Sequence, residues 1–190
     1  MSSVVSLCNR ALMKIGDTMS VTSLDDDSKA ARICKVAYPG VRDQLLQSYP
    51  WRFALKLYEL APLADRPAYG YTRAFQMPGE CLSVWQAEDE RLDYEVVGRE
   101  IHADTDIFRF KGIRRIEDPG MFDPMFAEAL ALSLAAEIAL PLTGDLNMKT
   151  LLFQEVSLFV KAARRASAIE AARATWRISP DWVTARIAGN

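Results

Sequence analysis

The chain has 190 residues, 50% of them hydrophobic, and a formal net charge of −2. This suits one core of ordinary size with at most a smaller satellite layer, and it excludes a disordered chain, because aromatic and branched aliphatic residues recur without a long polar tract. The slight acidity excludes a generally basic nucleic-acid coat and leaves local basic patches open.

The N-terminal run MSSVVSLCNRALMKIGD is too charged, and too short in its apolar stretch, for a signal peptide. Val4, Leu7, Cys8, Ala11, Leu12 and Ile15 repeat at helical spacing after a serine, and Gly16 suits the stop. A second helix restarts in TSLDDDSKAARICKVAYPG, with Ser23 or Ser28 as cap and Asp25, Asp26 and Asp27 at the positive end of its dipole. Its apolar face reads Ala30, Ile33, Cys34, Ala37, Val41, Leu45, and Pro39 inside it predicts a kink or break near Tyr38. Pro50 forces Tyr49 out of helical geometry. A strand is therefore expected to begin at Trp51 with no linker, the indole anchoring the joint between helices and sheet.

From Trp51 to about Glu117 the hydrophobic period is two. WRFALKLYEL, YGYTRAFQM, CLSVWQAE, RLDYEVVGREIHA and IFRFKGIRRIED read as about five strands, separated by the turn-rich LADRPA, MPGE, EDER and DTD. Short loops between successive strands imply antiparallel pairing. Helices return in FDPMFAEALALSLAAEIALPLTG, with Asp123 as cap and Pro124 at the first position. This most apolar segment carries Glu128, Glu137 and a proline, and reads as a buried core helix rather than a membrane span. A long last helix follows, with Leu152, Val156, Phe159, Val160 and Ala163 on one face, and the tail RISPDWVTARIAGN has no sustained period. The expected fold is α+β: a four-helix bundle from 1–50 and 119–176, an inserted antiparallel β domain at 51–118, and a C-terminal arm at 177–190.

Catalytic chemistry is hard to find. The single histidine, His102, reads as an exposed strand residue, and Cys8, Cys34 and Cys81 do not have metal-ligand spacing. Cys8 and Cys34 lie on apolar helix faces and suit a reducing compartment. Neither a phosphate-cradling glycine loop nor any cofactor motif is present, so no cofactor or metal is expected. Asp25, Asp26, Asp27 and Glu80 are the carboxylates from which a glycosidase-type pair would be drawn, although consecutive aspartates suit a helix cap better. Basic residues are more suggestive: Lys111, Arg114 and Arg115 end the β region, and Lys161, Arg164, Arg165, Arg173 and Arg177 stud the last helix and its exit. On a monomer these are solvated faces; in a ring around DNA they would meet phosphate without reading sequence. A sequence-specific DNA-binding regulator is disfavoured by the acidic balance and the lack of a recognition-helix motif. Trp182 sits in a tail with little else to bury it, as a docking residue would.

The phrases LCNRALMKIGD, SLDDDSKAARICKVAYPGVRDQLLQSYPWRFA, YTRAFQMPGECLSV, YEVVGREIHAD and DPGMFDPMFAEALALSLAAEIALPLTGD, in that order, resemble the tail tubular protein A family of tailed phages. Members are head-to-tail adaptor, or gatekeeper, proteins of short-tailed phages, and the likeness covers about Ser6 to Ala174. It implies a helical bundle with a β domain and a non-enzymatic virion protein, assembled in the host cytoplasm as a twelve-fold ring below the portal. Such a ring extends the DNA channel, binds the tail nozzle protein and has no membrane partner; the free chain is expected to be monomeric. On this reading Arg177, Trp182 and Arg186 contact portal or neighbouring subunit, and Lys111, Arg114, Arg115, Lys161, Arg164 and Arg165 are the channel cations. Some such adaptors are associated with peptidoglycan degradation, which makes a tail-associated hydrolase the alternative.

Overall fold

The computed structural model describes residues 3–17 and 20–176. They form a mixed α+β fold with four α-helices and two small antiparallel sheets. In chain order the elements are α1 (Val4–Lys14), α2 (Lys29–Gln47), β1 (Leu55–Leu60), β2 (Arg73–Gln76), β3 (Cys81–Ala87), β4 (Tyr94–Val97), β5 (Glu100–Ala103), β6 (Phe108–Arg114), α3 (Pro124–Thr143) and α4 (Leu146–Trp176). The chain divides into two compact units, Tyr38–Phe122 and the described residues within Ser2–Ala37 and Asp123–Asn190.

In the helical unit the termini follow from local chemistry. Ser3 caps α1 by accepting from the Ser6 N–H, and Gly16 leaves it at φ +79°. The Asn9 side chain donates to Val21 O at 2.9 Å and accepts from Val21 N at 2.8 Å, which pins the loop after α1 to the helix. Ser28 caps α2, its Oγ accepting from Ala31 N at 3.1 Å, while Ser23 belongs to the turn before it. Asp123 caps α3 through Phe126 N at 2.7 Å, Pro124 occupies the first turn, and Gly144 ends the helix in the left-handed region at φ +72°. Among the described residues α3 is the one helix long and apolar enough to cross a membrane, yet Leu130, Leu134 and Ile138 are wholly buried within the unit. Both α1 and α4 pack on α3. Arg10 pairs with the partly buried Glu128, and Lys14 reaches the same carboxylate at 2.6 Å. Along α4 the expected stripe turns inward: Leu152, Val160 and Ala163 are buried, Val156 and Phe159 half-buried.

The other unit is a pair of three-stranded sheets in the orders β1-β6-β3 and β2-β5-β4. Their inner faces share one cluster of Tyr58, Phe75, Ile101, Ala103, Phe108 and Phe110. Phe108 lies 5.7 Å from Phe75 and 5.5 Å from Phe110, ring to ring, so β6 is the strand that joins the sheets. Five period-two segments become six strands because RLDYEVVGREIHA folds back on itself. Val97 pairs with Glu100, leaving Gly98 and Arg99 as a two-residue turn. Gly98 has φ +62° and no described non-glycine residue has positive φ, which makes a type II′ hairpin turn.

Three details define the α2–β1 region. First, of the kink or break expected near Tyr38 the break is absent, and α2 continues through Pro39. Second, the strand does not follow Pro50 directly: a 3-10 turn, Arg52–Ala54, intervenes and β1 starts at Leu55. The reason is Trp51 itself. It is fully buried, and its indole N–H donates to Leu45 O at 3.0 Å, a carbonyl of the last turn of α2 that the Ser48 hydroxyl also reaches at 2.7 Å. With its side chain folded back on the helix, the backbone must turn before it can extend. Third, the division between the two compact units falls between Ala37 and Tyr38, inside α2. The rear half of α2 is bound to the sheet by Asp43, which accepts from Arg115 Nε at 2.8 Å, and by Gln47, which donates to Leu82 O at 3.4 Å. Buried Arg42 joins the same carboxylate at 2.8 Å, offsetting its desolvation.

Candidate functional site

The carboxylates from which hydrolysis would be drawn are engaged elsewhere. Asp25 pairs with Lys35 at 2.7 Å and Asp27 with Arg32, both at exposed positions. Asp26 Oδ2 accepts from the Ser23 N–H, the Thr22 hydroxyl and the Thr22 N–H, each at 2.9 Å. Ser23 Oγ in turn accepts from Asp25 N at 3.1 Å, so these bonds close the turn that precedes α2. The bond from the Ser23 backbone, with those from Thr22, holds the Asp26 carboxyl below its ordinary value. Glu80 is likewise lowered, chiefly by its bond to Lys56 at 2.5 Å. A general acid needs the opposite shift.

Asp26 gives a pH prediction. Its folded pKa lies below the unfolded one, so its stabilisation is present above the unfolded value and fades as pH falls through the folded value. Asp26→Asn should lower the urea midpoint at neutral pH, and the gap from wild type should close in acid below both values. A gap unchanged by pH would show that the charge is not what matters.

His102 is not an exposed strand residue. It sits on the central strand β5, opposite Ala74 and Glu95, with its side chain 15% exposed and Nε2 3.3 Å from Glu100. The DTD segment is a turn, as expected, and is tied back to the start of β2. Asp104 accepts from the Thr72 N–H and hydroxyl, both at 2.8 Å, and Asp106 pairs with Arg73 at 3.1 Å. Cys8, Cys34 and Cys81 are free and buried. Among the described residues no cluster of three His, Cys, Asp or Glu side chains suits a metal ion.

The six candidate channel cations do not form one patch. Strand alternation puts Lys111 on the opposite face of β6 from Arg114. Lys111 lines an open groove of about 360 Å³ with Leu57, Glu59, Gln86, Glu88 and Arg109. There Arg109 already binds Glu59 at 2.6 Å and Glu88 at 3.5 Å. Arg114 and Arg115 border a separate recess that also holds Glu80 and Glu117, and Arg115 is committed to Asp43. On α4, Lys161 and Arg165 are exposed one turn apart, while Arg164 is turned aside and half-buried. Arg177, Trp182 and Arg186 lie outside the described residues.

Periodicity reading missed a second line on α4. Asn147, Leu151, Gln154, Leu158, Lys161 and Arg165, spaced alternately by four and three, are all exposed; Leu151 is 64% and Leu158 69% accessible. The signal was in the sequence: two leucines seven apart that the buried face does not use. Also overlooked was the acidic corner between β3 and β4, where Trp85, Val96 and Val97 are exposed on the flanking strands. Comparison with known proteins returns no matching family model and no matching curated sequence.

Proposed function

We propose that this chain is a structural virion protein, a head-to-tail adaptor that forms a ring between portal and tail nozzle and lines part of the DNA channel. The observation that carries the reading is the outer line of α4, where exposed leucines and cations follow the spacing of a helix meant to be covered. The ordered phrases that resemble the tail tubular protein A family support the same conclusion. On this reading α1 to α4 act as one four-helix bundle bearing an inserted β domain, and the protein works by being covered, without cofactor or turnover. Lys161 and Arg165, both exposed on one helix face, continue that line toward the C-terminal end of α4. Arg177, Trp182 and Arg186 are the proposed portal contact.

Negative-stain imaging of the chain mixed with its cognate portal tests this. The expected result is a stacked ring with an open axial channel, lost when residues 177–190 are deleted. Portal particles that stay bare, together with clearing of peptidoglycan in a zymogram by the purified chain, would replace the adaptor with a hydrolase.

A further inference from the structure

Two surfaces in this chain have complementary chemistry, and each lies in a different compact unit. One is the outer line of α4, with Leu151 and Leu158 exposed and Lys161 and Arg165 continuing it toward the C-terminal end. Neither cation has an ion-pair partner among the described residues. The other is the corner joining β3 to β4, EDERLDYE, where Glu88, Asp89, Glu90, Asp93 and Glu95 surround a single arginine. These carboxylates are short of cations. Glu90 accepts from the neutral Gln86 amide at 2.7 Å, Asp89 accepts from the Arg91 backbone at 2.9 Å, and among the described residues only Glu88 reaches a guanidinium, that of Arg109 at 3.5 Å. The strands that frame this corner carry Trp85, 52% exposed, and Val96 and Val97, 44% and 48% exposed, and β4 is the edge strand of its sheet.

We infer that the outer line of α4 docks on the acidic β3–β4 corner of a second copy of this chain. The leucines meet the exposed Trp85 and Val97, and Lys161 and Arg165 meet the unneutralised carboxylates, among them Glu95 on the same strand face as Val97. Each copy offers one patch of each kind, and where the two engage different neighbours the contact is heterologous and generates a ring or an open chain. Like-charged patches cannot meet themselves, so the same charges that attract α4 to the corner exclude the reversed pairing. The inference rests on the ring reading above and specifies which surfaces make the ring.

A charge-swap experiment decides it. Variant one is Lys161→Glu with Arg165→Glu; variant two is Glu90→Lys with Glu95→Lys; all four side chains are exposed. Assembly is measured by analytical ultracentrifugation at a concentration where the wild type associates, with and without portal. Each variant alone should associate roughly tenfold more weakly or worse. An equimolar mixture should recover, because each reversed patch then faces a complementary one. If a reversal unfolds the chain by circular dichroism, the neutral pairs K161Q/R165Q and E90Q/E95Q take its place, and association should weaken and lose its salt dependence. Variants that assemble like wild type, or a mixture that fails to recover, overturn this interface and leave the ring reading standing. A wild-type chain that stays monomeric under every condition, portal included, overturns both.

Discussion

Trp51→Ala is expected to destabilise the β-containing unit by about 3–5 kcal/mol, the usual range for removing a buried Trp side chain. That is a large share of the roughly 5–15 kcal/mol that holds a domain together. Trp51 has no exposed surface, its ring lies 5.3 Å from Tyr49 and 6.5 Å from Phe53, and its N–H occupies Leu45 O at 3.0 Å. The variant loses packing on both sides of the α2–β1 turn and one of the hydrogen bonds to Leu45 O, which the Ser48 hydroxyl still reaches at 2.7 Å. Trp51→Phe separates the two contributions: most packing stays, and the lost hydrogen bond alone should cost about 0.5–1.5 kcal/mol, because Ser48 still donates to Leu45 O. Urea denaturation followed by far-UV dichroism gives both numbers. The helical signal should survive in Trp51→Gly while ordered assembly is lost; normal tails built from that variant would count against Trp51 as the anchor.

The second large effect is at Gly112. This residue lies in β6 between Lys56 of β1 and Val84 of β3, and a Cβ added there would come within 2.8 Å of Phe110 Cε2 and 2.9 Å of both Cys81 Sγ and Tyr58 Cε2. The Tyr58 and Phe110 rings stack 5.0 Å apart across the space a side chain would need. Nothing there can yield cheaply, because all three neighbours belong to the closed core between the sheets. Gly112→Ala should cost about 1–3 kcal/mol through overpacking, and Gly112→Val more. The adjacent exposed Lys111→Ala serves as control and should stay within about 0.5 kcal/mol of wild type. If Gly112→Ala matches that control, the two rings are not fixed where they lie.

Gly112 also shows what a sequence conceals. FKGIRR announces a glycine inside a strand, which signals a bulge or a close approach. Which atoms come close depends on Tyr58, more than fifty positions earlier, and only strand pairing brings them together. Where the determining chemistry is local, reading succeeded. Asp123 with Pro124, Gly144, and the inward stripe of α4 all behave as their neighbours in sequence dictate. Reading failed where a side chain overrides the backbone pattern. The alternation after Pro50 pointed to an immediate strand, but the indole of Trp51 reaches back to Leu45 and imposes a turn. His102 was misjudged for a related reason: its polar neighbours suggested exposure, whereas its strand lies between two others. The cations were legible as residues but not as a site. Strand alternation separates Lys111 from Arg114, and Asp43, distant in sequence, takes Arg115.

All three native thiols, Cys8, Cys34 and Cys81, are shielded from solvent. A fluorophore maleimide therefore has little to attack on the folded chain, and a cysteine introduced at an exposed position such as Tyr69 becomes the preferred label without first deleting any of the others. Neighbouring molecules in a growing particle can then be followed by energy transfer from that one dye, in a background the protein itself keeps dark.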